Sequence, residues 1–301
     1  MDKNVSKYVS MSLYDLQDAI KNNNNVFVIW SGGYDSTMII LKALEFKKQY
    51  NSESKIIAIG VISPLVSRFK NEREINARKE IHKELKDAFD YYELDMFVYK
   101  NGNQSSDREE TTNNIQSLPL TTFPDKLPQS VLWVSAFSQI MMLVSKGSII
   151  CLGYLSEITD DLPKYFKDYE SFLEGYFKIN FINYEDLNLK IVFPFAEIYT
   201  KEKLLKEFIN KDKPEYMKIY SLCTCCEANY ELEEDEHHYF CNCHACRTHK
   251  HALVDIIDGY GRQYVHDSSN KTPMEIAEMN YYQSVKDEND KIDNNTNQHD
   301  E

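Results

Sequence analysis

The most constraining feature of this 301-residue chain is a pair of glycines set between two apolar runs. The segment "NVFVIWSGGYDSTMIILKAL" predicts a buried strand over Val26–Trp30, a turn at Gly32-Gly33 and a helix over Ser36–Lys48. Because glycine has no Cβ, the pair lets the backbone turn tightly and approach a ligand closely. The following helix directs its free N–H groups and its positive end at the same place. The turn is therefore predicted to bind phosphate; the alternative is an ordinary strand-to-helix turn capped by Ser or Asp.

Strands and helices alternate along the next part of the chain. Strand-like runs occur in "KIIAIGVIS", "LDMFVYK", "SIICLGY" and "LKIVFPF". Helical spacing occurs in "NEREINARKEIHKELKDAF", "VLWVSAFSQIMMLVS" and "TKEKLLKEFINK", the last capped by Thr200. Residues 5–24 suggest a short amphipathic lead-in, residues 101–130 a long loop, and residues 155–189 show no clean period. The alternation predicts an α/β fold with a doubly wound parallel sheet.

Charge and hydropathy limit the classes of partner. The chain carries 48 acidic and 34 basic side chains, a net charge of −14, which opposes a phosphate backbone and makes a nucleic-acid partner unlikely without excluding one. No run is long and apolar enough to span a bilayer, and "MDKNVSKYVSMSLYDLQ" lacks the apolar region of a signal peptide. We expect a soluble cytoplasmic protein with no membrane partner. The sequence leaves the oligomeric state open, a homodimer included.

Six of the seven cysteines are crowded between Cys223 and Cys246. Cys223-x2-Cys226 and Cys243-x2-Cys246 are two knuckles separated by sixteen residues, a spacing that suits a structural four-cysteine zinc site. Cys225, Cys241 and nearby histidines (His237, His238, His244, His249) are further candidate ligands. Free or redox-active cysteines are the alternative, which a reducing compartment disfavours.

These signals divide the chain into three predicted parts. Residues 1–200 form an α/β domain, residues 201–283 a helical zinc-binding lobe, and residues 284–301 a disordered tail that is polar apart from Val285 and Ile292.

The glycine turn is similar to a known phosphate loop. It matches neither Gly-x-x-x-x-Gly-Lys-Ser/Thr nor Gly-x-Gly-x-x-Gly. It resembles the Ser-Gly-Gly-x-Asp-Ser pyrophosphate loop of the N-type ATP pyrophosphatases, or PP-loop family. That family implies a doubly wound domain that binds ATP and adenylates an oxygen. Carried over by position, the resemblance implies that phosphate is bound by Ser31, Gly32, Gly33, Tyr34, Asp35, Ser36 and Thr37. Asp35 would help to hold magnesium, and Asp35 and Ser36 are predicted to be catalytic.

With its cysteines, the chain resembles the 7-cyano-7-deazaguanine synthase family. Cys226-Glu227 followed by "CNCHACR" looks like that family's zinc-binding pieces, which implies Zn²⁺ on Cys226, Cys241, Cys243 and Cys246, with Cys223 as the alternative fourth ligand. Two further patches match that family. In "KNEREINARKEI" the matching positions are Lys70, Glu74 and Ala77, and in "IVFPFAEIYTKEKLL" they are Pro194, Thr200 and Lys201. The resemblance runs from Val26 to Ala252 and is specific only in these patches.

The substrate-binding pieces of that family are changed here. Of the Gly-x-Asn-x-x-Asp segment only Gly153 is kept, with Glu157, Asp160 and Asp161 as loose substitutes. The Val-Pro-x-Arg-Asn patch keeps Pro128 alone, and the cysteine triplet is one residue shorter than usual. The resemblance therefore implies ATP chemistry more strongly than it implies a substrate.

Other charged or reactive side chains have two interpretations each. Lys201 is predicted to reach ATP phosphates, with a solvated position as the alternative. Lys70, Arg73 and Arg78 are expected on a solvated helix face, although Lys70 is kept as a nucleotide contact. Cys151 is expected in the core. His82 and His266 are expected at the surface.

The resulting expectation is an ATP-dependent, magnesium-requiring C–N ligase. The best substrates are 7-carboxy-7-deazaguanine and ammonia, joined to the amide and then, after a second activation, converted to the nitrile. One alternative is a divergent relative that adenylates a nucleic acid or a protein. The other is a non-catalytic nucleotide-binding zinc scaffold.

Overall fold

The computed structural model describes residues 8–63, 68–95, 136–137, 139–141, 143–155, 162–180, 184–210 and 212–224. Several predictions lie outside these residues. They concern the 101–130 loop with Pro128, the acidic residues Glu157, Asp160 and Asp161, the cysteines after Thr224, His266 and the 284–301 tail.

The described residues form six strands and seven helices. The strands are β1 (Val9–Ser10), β2 (Val26–Ile29), β3 (Ile56–Ile62), β4 (Asp90–Asp95), β5 (Ile149–Cys151) and β6 (Lys190–Val192). The helices are α1 (Leu13–Lys21), α2 (Tyr34–Tyr50), α3 (Arg68–Glu84), α4 (Leu162–Asn180), α5 (Tyr184–Leu187), α6 (Lys201–Phe208) and α7 (Pro214–Leu222).

All strand pairings are parallel, in the order β1-β6-β5-β2-β3-β4. Val26 of β2 lies opposite Ile56 of β3 on one side and Ile149 of β5 on the other. From β2 the chain builds outward to β3 and β4, and β5 then starts the other half of the sheet. The order reverses between β2 and β5, and open α/β sheets bind ligands at the carboxyl ends of the strands at such a switch point.

Helices cover both faces of the sheet, because alternate side chains of each strand point to opposite sides. Val26 and Val28 belong to one core cluster, which also contains apolar side chains of α1, α2, α3, α6 and α7. Phe27 belongs to a second cluster, with side chains of α4 and the helical residues Phe137 and Ile140. The predicted doubly wound α/β fold is therefore confirmed.

Several elements differ from the sequence prediction. β4 begins at Asp90, four residues before the predicted "LDMFVYK" strand. It is an edge strand and pairs with one neighbour only, and such a strand tolerates the alternating polar sequence "DYYELD". α4 crosses the segment in which no clean period was found. β1 and α7 were not predicted; β1 is two residues long and pairs with β6.

The two helices that open the predicted zinc lobe belong to the α/β body. Leu204, Phe208 and Tyr220 lie in the same core cluster as Val28 and Met38. α6 and α7 therefore share one core with β2 and α2, and the predicted lobe over residues 201–283 stays a prediction.

A partly buried ion pair fastens α6 to α2. The ammonium of Lys42 lies 2.7 Å from a Glu207 carboxylate oxygen, and the Tyr199 hydroxyl donates to the other oxygen at 3.0 Å. Burial opposes ionisation of Glu207, but the hydrogen bond and charge of Lys42 outweigh it and hold the pKa of Glu207 below its ordinary value. Burial raises the pKa of Tyr199, and the Glu207 carboxylate raises it further.

Within the described residues, no helix combines the length and the apolar character needed to cross a bilayer.

Replacing Glu207 with Gln should destabilise the fold at neutral pH and make it less sensitive to acid. The variant removes the shorter of two ion pairs of Lys42, whose ammonium keeps the Glu45 carboxylate at 3.4 Å, and the loss should cost about 1–3 kcal/mol. A lowered carboxylate pKa stabilises the fold above the ordinary value of 4.5, and this contribution is lost as the pH falls through the lower folded value. Urea unfolding at neutral and acidic pH measures both effects.

The matched control is Glu202→Gln on the same helix, which removes an exposed pair with Lys206 and should change stability by less than about 0.5 kcal/mol. An equal loss in both variants would contradict the assignment.

Candidate functional site

The turn of Ser31, Gly32 and Gly33, here called the glycine turn, lies at the switch point of the sheet. It joins the carboxyl end of β2 to the start of α2, and Gly153 follows β5 on the other side of the crevice. A Cβ on Gly153 would lie 2.8 Å from the Ser36 backbone nitrogen. The two loops at the switch point are therefore packed backbone against backbone.

Gly32 has a conformation and a packing that require glycine. Its φ of +82° is in the left-handed region, which side-chain-bearing residues adopt at a cost. A Cβ there would meet the Glu74 carbonyl oxygen at 3.1 Å, and the Ala77 Cβ and Arg78 Cγ at 3.3 Å. Helix α3 thus packs directly on the turn. A side chain at this position would push the helix away, which explains why the residue is a glycine.

The start of α2 presents donors to the space above the glycine turn. Gly33 is the N-cap, so no side chain caps the first amides of the helix. The hydroxyls of Ser31 and Ser36 lie 3.3 Å apart, and the Ser31 oxygen accepts a bond from the Gly33 N–H at 3.2 Å. A helix N-terminus with adjacent hydroxyl donors suits an anion such as phosphate.

One ion pair connects α6 to this helix start. The Lys201 ammonium lies 2.7 Å from Oδ1 of Asp35, and 5.7 Å from the centre of the Tyr34 ring. Lys201 is the first residue of α6, where the Thr200 hydroxyl accepts the Lys203 N–H and caps the helix as predicted. The Lys201 side chain is 13% exposed and that of Asp35 30%, so both groups are shielded but reachable.

Lys70 lies one helical turn before Glu74 on α3. Its ammonium is 3.9 Å from the Glu74 carboxylate, and burial raises the pKa of Glu74 despite the nearby Lys70 and Arg78. The backbone of Glu74 contacts Gly32, which places this end of α3 beside the turn. A contact between Lys70 and a nucleotide stays a prediction.

Two predicted phosphate contacts have their side chains in the core. The Tyr34 ring is 2% exposed and packs on Tyr220, with ring centres 5.1 Å apart. The Thr37 hydroxyl is fully buried and accepts a hydrogen bond from the Trp30 indole at 3.0 Å. With both side chains buried, it is the backbone of either residue that faces the site, and their phosphate-binding roles stay predictions.

The expectation that Arg78 lies on a solvated helix face is also wrong. Its side chain is 1% exposed and pairs with Glu93 of β4 at 2.8 Å. His82 is partly buried, with its ring beside Phe89. Cys151 is in the core, as predicted, and burial raises the pKa of its thiol far above the ordinary value.

The segment that leads into the cysteine cluster packs on the glycine turn. The Thr224 N–H donates to the Gly32 carbonyl at 3.0 Å, and the Thr224 carbonyl oxygen is 3.1 Å from where a Gly33 Cβ would lie. The Cys223 side chain is hydrogen-bonded to Thr37, and burial raises the pKa of the thiol to about 12. Nothing in the spacing of the cysteines predicts this contact.

The four predicted zinc ligands stay a prediction from the sequence. Cys226, Cys241, Cys243 and Cys246 lie outside the described residues. Within the described part of the chain, no group of three or more His, Cys, Asp or Glu side chains has the arrangement of a metal site. Cys223, the alternative fourth ligand, is 1% exposed and faces α2.

Comparisons with known proteins give likenesses to solved structures only. No protein-family profile and no curated protein matches the chain. Among solved structures, it is similar to the U34-tRNA thiolase NcsA from Methanococcus maripaludis with its 4Fe-4S cluster, at a TM-score of 0.42 and 16% identity over 86% of this chain and 84% of that one. Similarity at this level says nothing about the ligands or the substrate of this chain.

Replacing Gly153 with Ala should destabilise the fold and weaken pyrophosphate binding. The added methyl group would press on the first turn of α2, and overpacking of this kind costs about 1–3 kcal/mol. Thermal unfolding measures the first effect, and titration calorimetry with inorganic pyrophosphate measures the second.

The control is Gly175→Ala in α4, where a Cβ meets nothing within 4 Å and should stabilise the helix by about 0.5–1 kcal/mol. A Gly153→Ala variant as stable as the native protein would contradict the close packing of the two loops.

Proposed function

We propose that this protein binds ATP at the glycine turn and transfers its adenylyl group to an oxygen of a carboxylate substrate. The observation that carries the proposal is the meeting of three features at a sheet switch point. These are the glycine turn, the start of α2 with the Ser31 and Ser36 hydroxyls, and the Lys201 ammonium 2.7 Å from Asp35. Together they offer donors and positive charge to a polyphosphate.

In this proposal each group has a simple electrostatic task. The α2 amides and the two hydroxyls bind the β- and γ-phosphates, and Lys201 neutralises the charge that develops on the departing pyrophosphate. Asp35 is the carboxylate that fits a magnesium ion, which would supply further charge neutralisation when bound. The rate enhancement then comes from positioning and charge stabilisation, with no side chain needed as a general base.

The proposed reaction has two activation steps, each of which uses one ATP. A carboxylate oxygen attacks the α-phosphorus, pyrophosphate leaves, and an acyl adenylate forms. A nitrogen nucleophile attacks the acyl carbon and AMP leaves, which gives an amide. The amide oxygen then attacks the α-phosphorus of a second ATP, and pyrophosphate leaves. Loss of AMP and of the two amide N–H protons gives the nitrile.

For the substrates we propose 7-carboxy-7-deazaguanine and ammonia. The support is the sequence resemblance around Lys70, Thr200 and the cysteine cluster. The changed residues after Gly153 lie in the piece that would bind the deazapurine, so the adenylation step is the better supported half of the proposal.

The first test compares pyrophosphate release by Lys201→Ala and Lys203→Ala. Both lysines lie in the first turn of α6, but Lys203 packs over Tyr199 with its ammonium 4.9 Å from the ring centre. Removal of one transition-state donor costs about 100-fold in kcat. Lys201→Ala should lose about that much and Lys203→Ala less than twofold, with 7-carboxy-7-deazaguanine and ammonium present and products identified by mass.

Asp35→Asn completes the test and should shift the magnesium dependence to higher concentration. Pyrophosphate release that needs a nucleic acid or protein in place of the small acid would assign a different substrate to the same chemistry. ATP binding without cleavage by any acceptor would identify a nucleotide-binding scaffold and overturn the enzyme proposal.

We further propose that Cys226, Cys241, Cys243 and Cys246 hold one structural zinc ion. Four thiolates suit zinc and leave no open position for water. The buried contact between Cys223 and Thr37 supports Cys241 as the fourth ligand, because Cys223 would have to leave the core to bind metal.

Metal analysis of purified full-length variants tests this ligand set. Cys223→Ser should keep one zinc per chain, whereas Cys241→Ser should lose it. The reverse pattern would contradict the assignment. Iron with acid-labile sulfide in place of zinc would replace the proposed metal altogether, since cysteine thiolates also bind iron–sulfur clusters.

A further inference from the structure

Arg78 of α3 makes contacts that connect the outer part of the sheet to the glycine turn. Its Nη1 donates to the backbone carbonyls of Trp30 at 3.4 Å and Ser31 at 3.3 Å. Its Nε and Nη2 donate to the two carboxylate oxygens of Glu93 at 3.0 and 2.8 Å. One guanidinium thus joins α3, β4 and the end of β2.

The sequence of β3 leaves space for this ion pair. Gly60 is inside the strand, where a glycine weakens pairing and marks a close approach. A Cβ on Gly60 would lie 2.5 Å from Nε of Arg78 and 2.5 Å from a Glu93 carboxylate oxygen. The guanidinium and its carboxylate therefore cross directly over the backbone of β3.

The direction of the two carbonyls sets the direction of the amides in the turn. A peptide unit is planar and trans, so its N–H points away from its carbonyl oxygen. With the Trp30 carbonyl held by Arg78, the Ser31 N–H points to the Ser36 hydroxyl at 3.3 Å, towards the start of α2. With the Ser31 carbonyl held in the same way, the Gly32 N–H also faces away from Arg78.

Stability alone does not explain why this pair is buried. Taking an arginine and a glutamate out of water costs several kcal/mol, and apolar residues of similar volume are often as stable or more so. An arginine does supply a rigid fork of donors that can hold a carboxylate and two carbonyls at once. What the buried charge provides here is a fixed direction for the peptide groups of the turn.

We propose that Arg78 is a positioning residue that holds the glycine turn in its anion-binding conformation. It acts on the ligand through the peptide groups of Trp30, Ser31 and Gly32, and Glu93 and Gly60 fix the guanidinium in place. This inference rests on the proposed function only for the identity of the ligand, since the contacts with the turn are independent of it.

Two variants separate positioning from charge. Arg78→Lys keeps the charge but replaces the fork with a single ammonium, and Gly60→Ala keeps every charge but displaces the ion pair. Both should raise the dissociation constant for ATP about tenfold, and both should speed amide hydrogen exchange in residues 31–37 at least tenfold. Exchange in β2 itself should not change.

Two controls account for charge and for stability. Lys79→Met removes an exposed charge from the next position of α3 and should leave ATP affinity within twofold. Glu207→Gln weakens the fold at another contact of α2 and should likewise leave affinity and turn exchange within twofold. If Arg78→Lys and Gly60→Ala behave like these controls, the inference is overturned.

The exchange measurement distinguishes this inference from the proposed function. If the native protein binds neither ATP nor pyrophosphate, the proposed function fails, and the exchange rates of residues 31–37 alone decide the role of Arg78. Faster exchange confined to the turn then supports positioning, and unchanged exchange rejects it.

Discussion

The close approach of three chain segments to the glycine turn is the constraint on which the rest of the structure depends. α3 contacts Gly32, Thr224 contacts Gly33, and Gly153 contacts the first turn of α2. In each contact the nearest atom belongs to the backbone, so a side chain at any of these glycines would separate elements that are far apart in sequence. Packing against neighbouring segments therefore favours glycine at both positions of the pair, whether or not a ligand binds there.

The ion-pair networks around Lys42 and around Arg78 have different structural roles. Lys42 and Glu207 join α2 to α6 through side chains alone, which fastens one helix to another. Arg78 bonds to backbone carbonyls as well as to Glu93, and so controls the direction of peptide groups beside the site. Breaking either network costs stability, but only the second should change the geometry of the turn.

The sequence predicted the elements whose signal is local. Apolar runs identified β2 and β3, and the Thr200 cap identified the start of α6. The prediction missed features that depend on distant partners. A charged residue on α3 looks the same in sequence whether it faces water or crosses β3 to meet Glu93, and the mid-strand Gly60 was the one available sign of Arg78's position. The buried side chains of Tyr34 and Thr37 were missed for the same reason, because α6 and α7 cover that face of α2.

The contact between the glycine turn and the start of the cysteine cluster limits how the two can be separated. The Thr224 amide bonds to Gly32, and the Cys223 side chain bonds to Thr37, so both are fixed to α2 and its turn. Cys226 follows only two residues after Thr224, a distance of about 7 Å at most along an extended chain. A metal ion bound at Cys226 would therefore be tethered to the turn by a very short link. Folding of the cysteine segment and ordering of the turn should consequently be coupled, although they are distant in sequence.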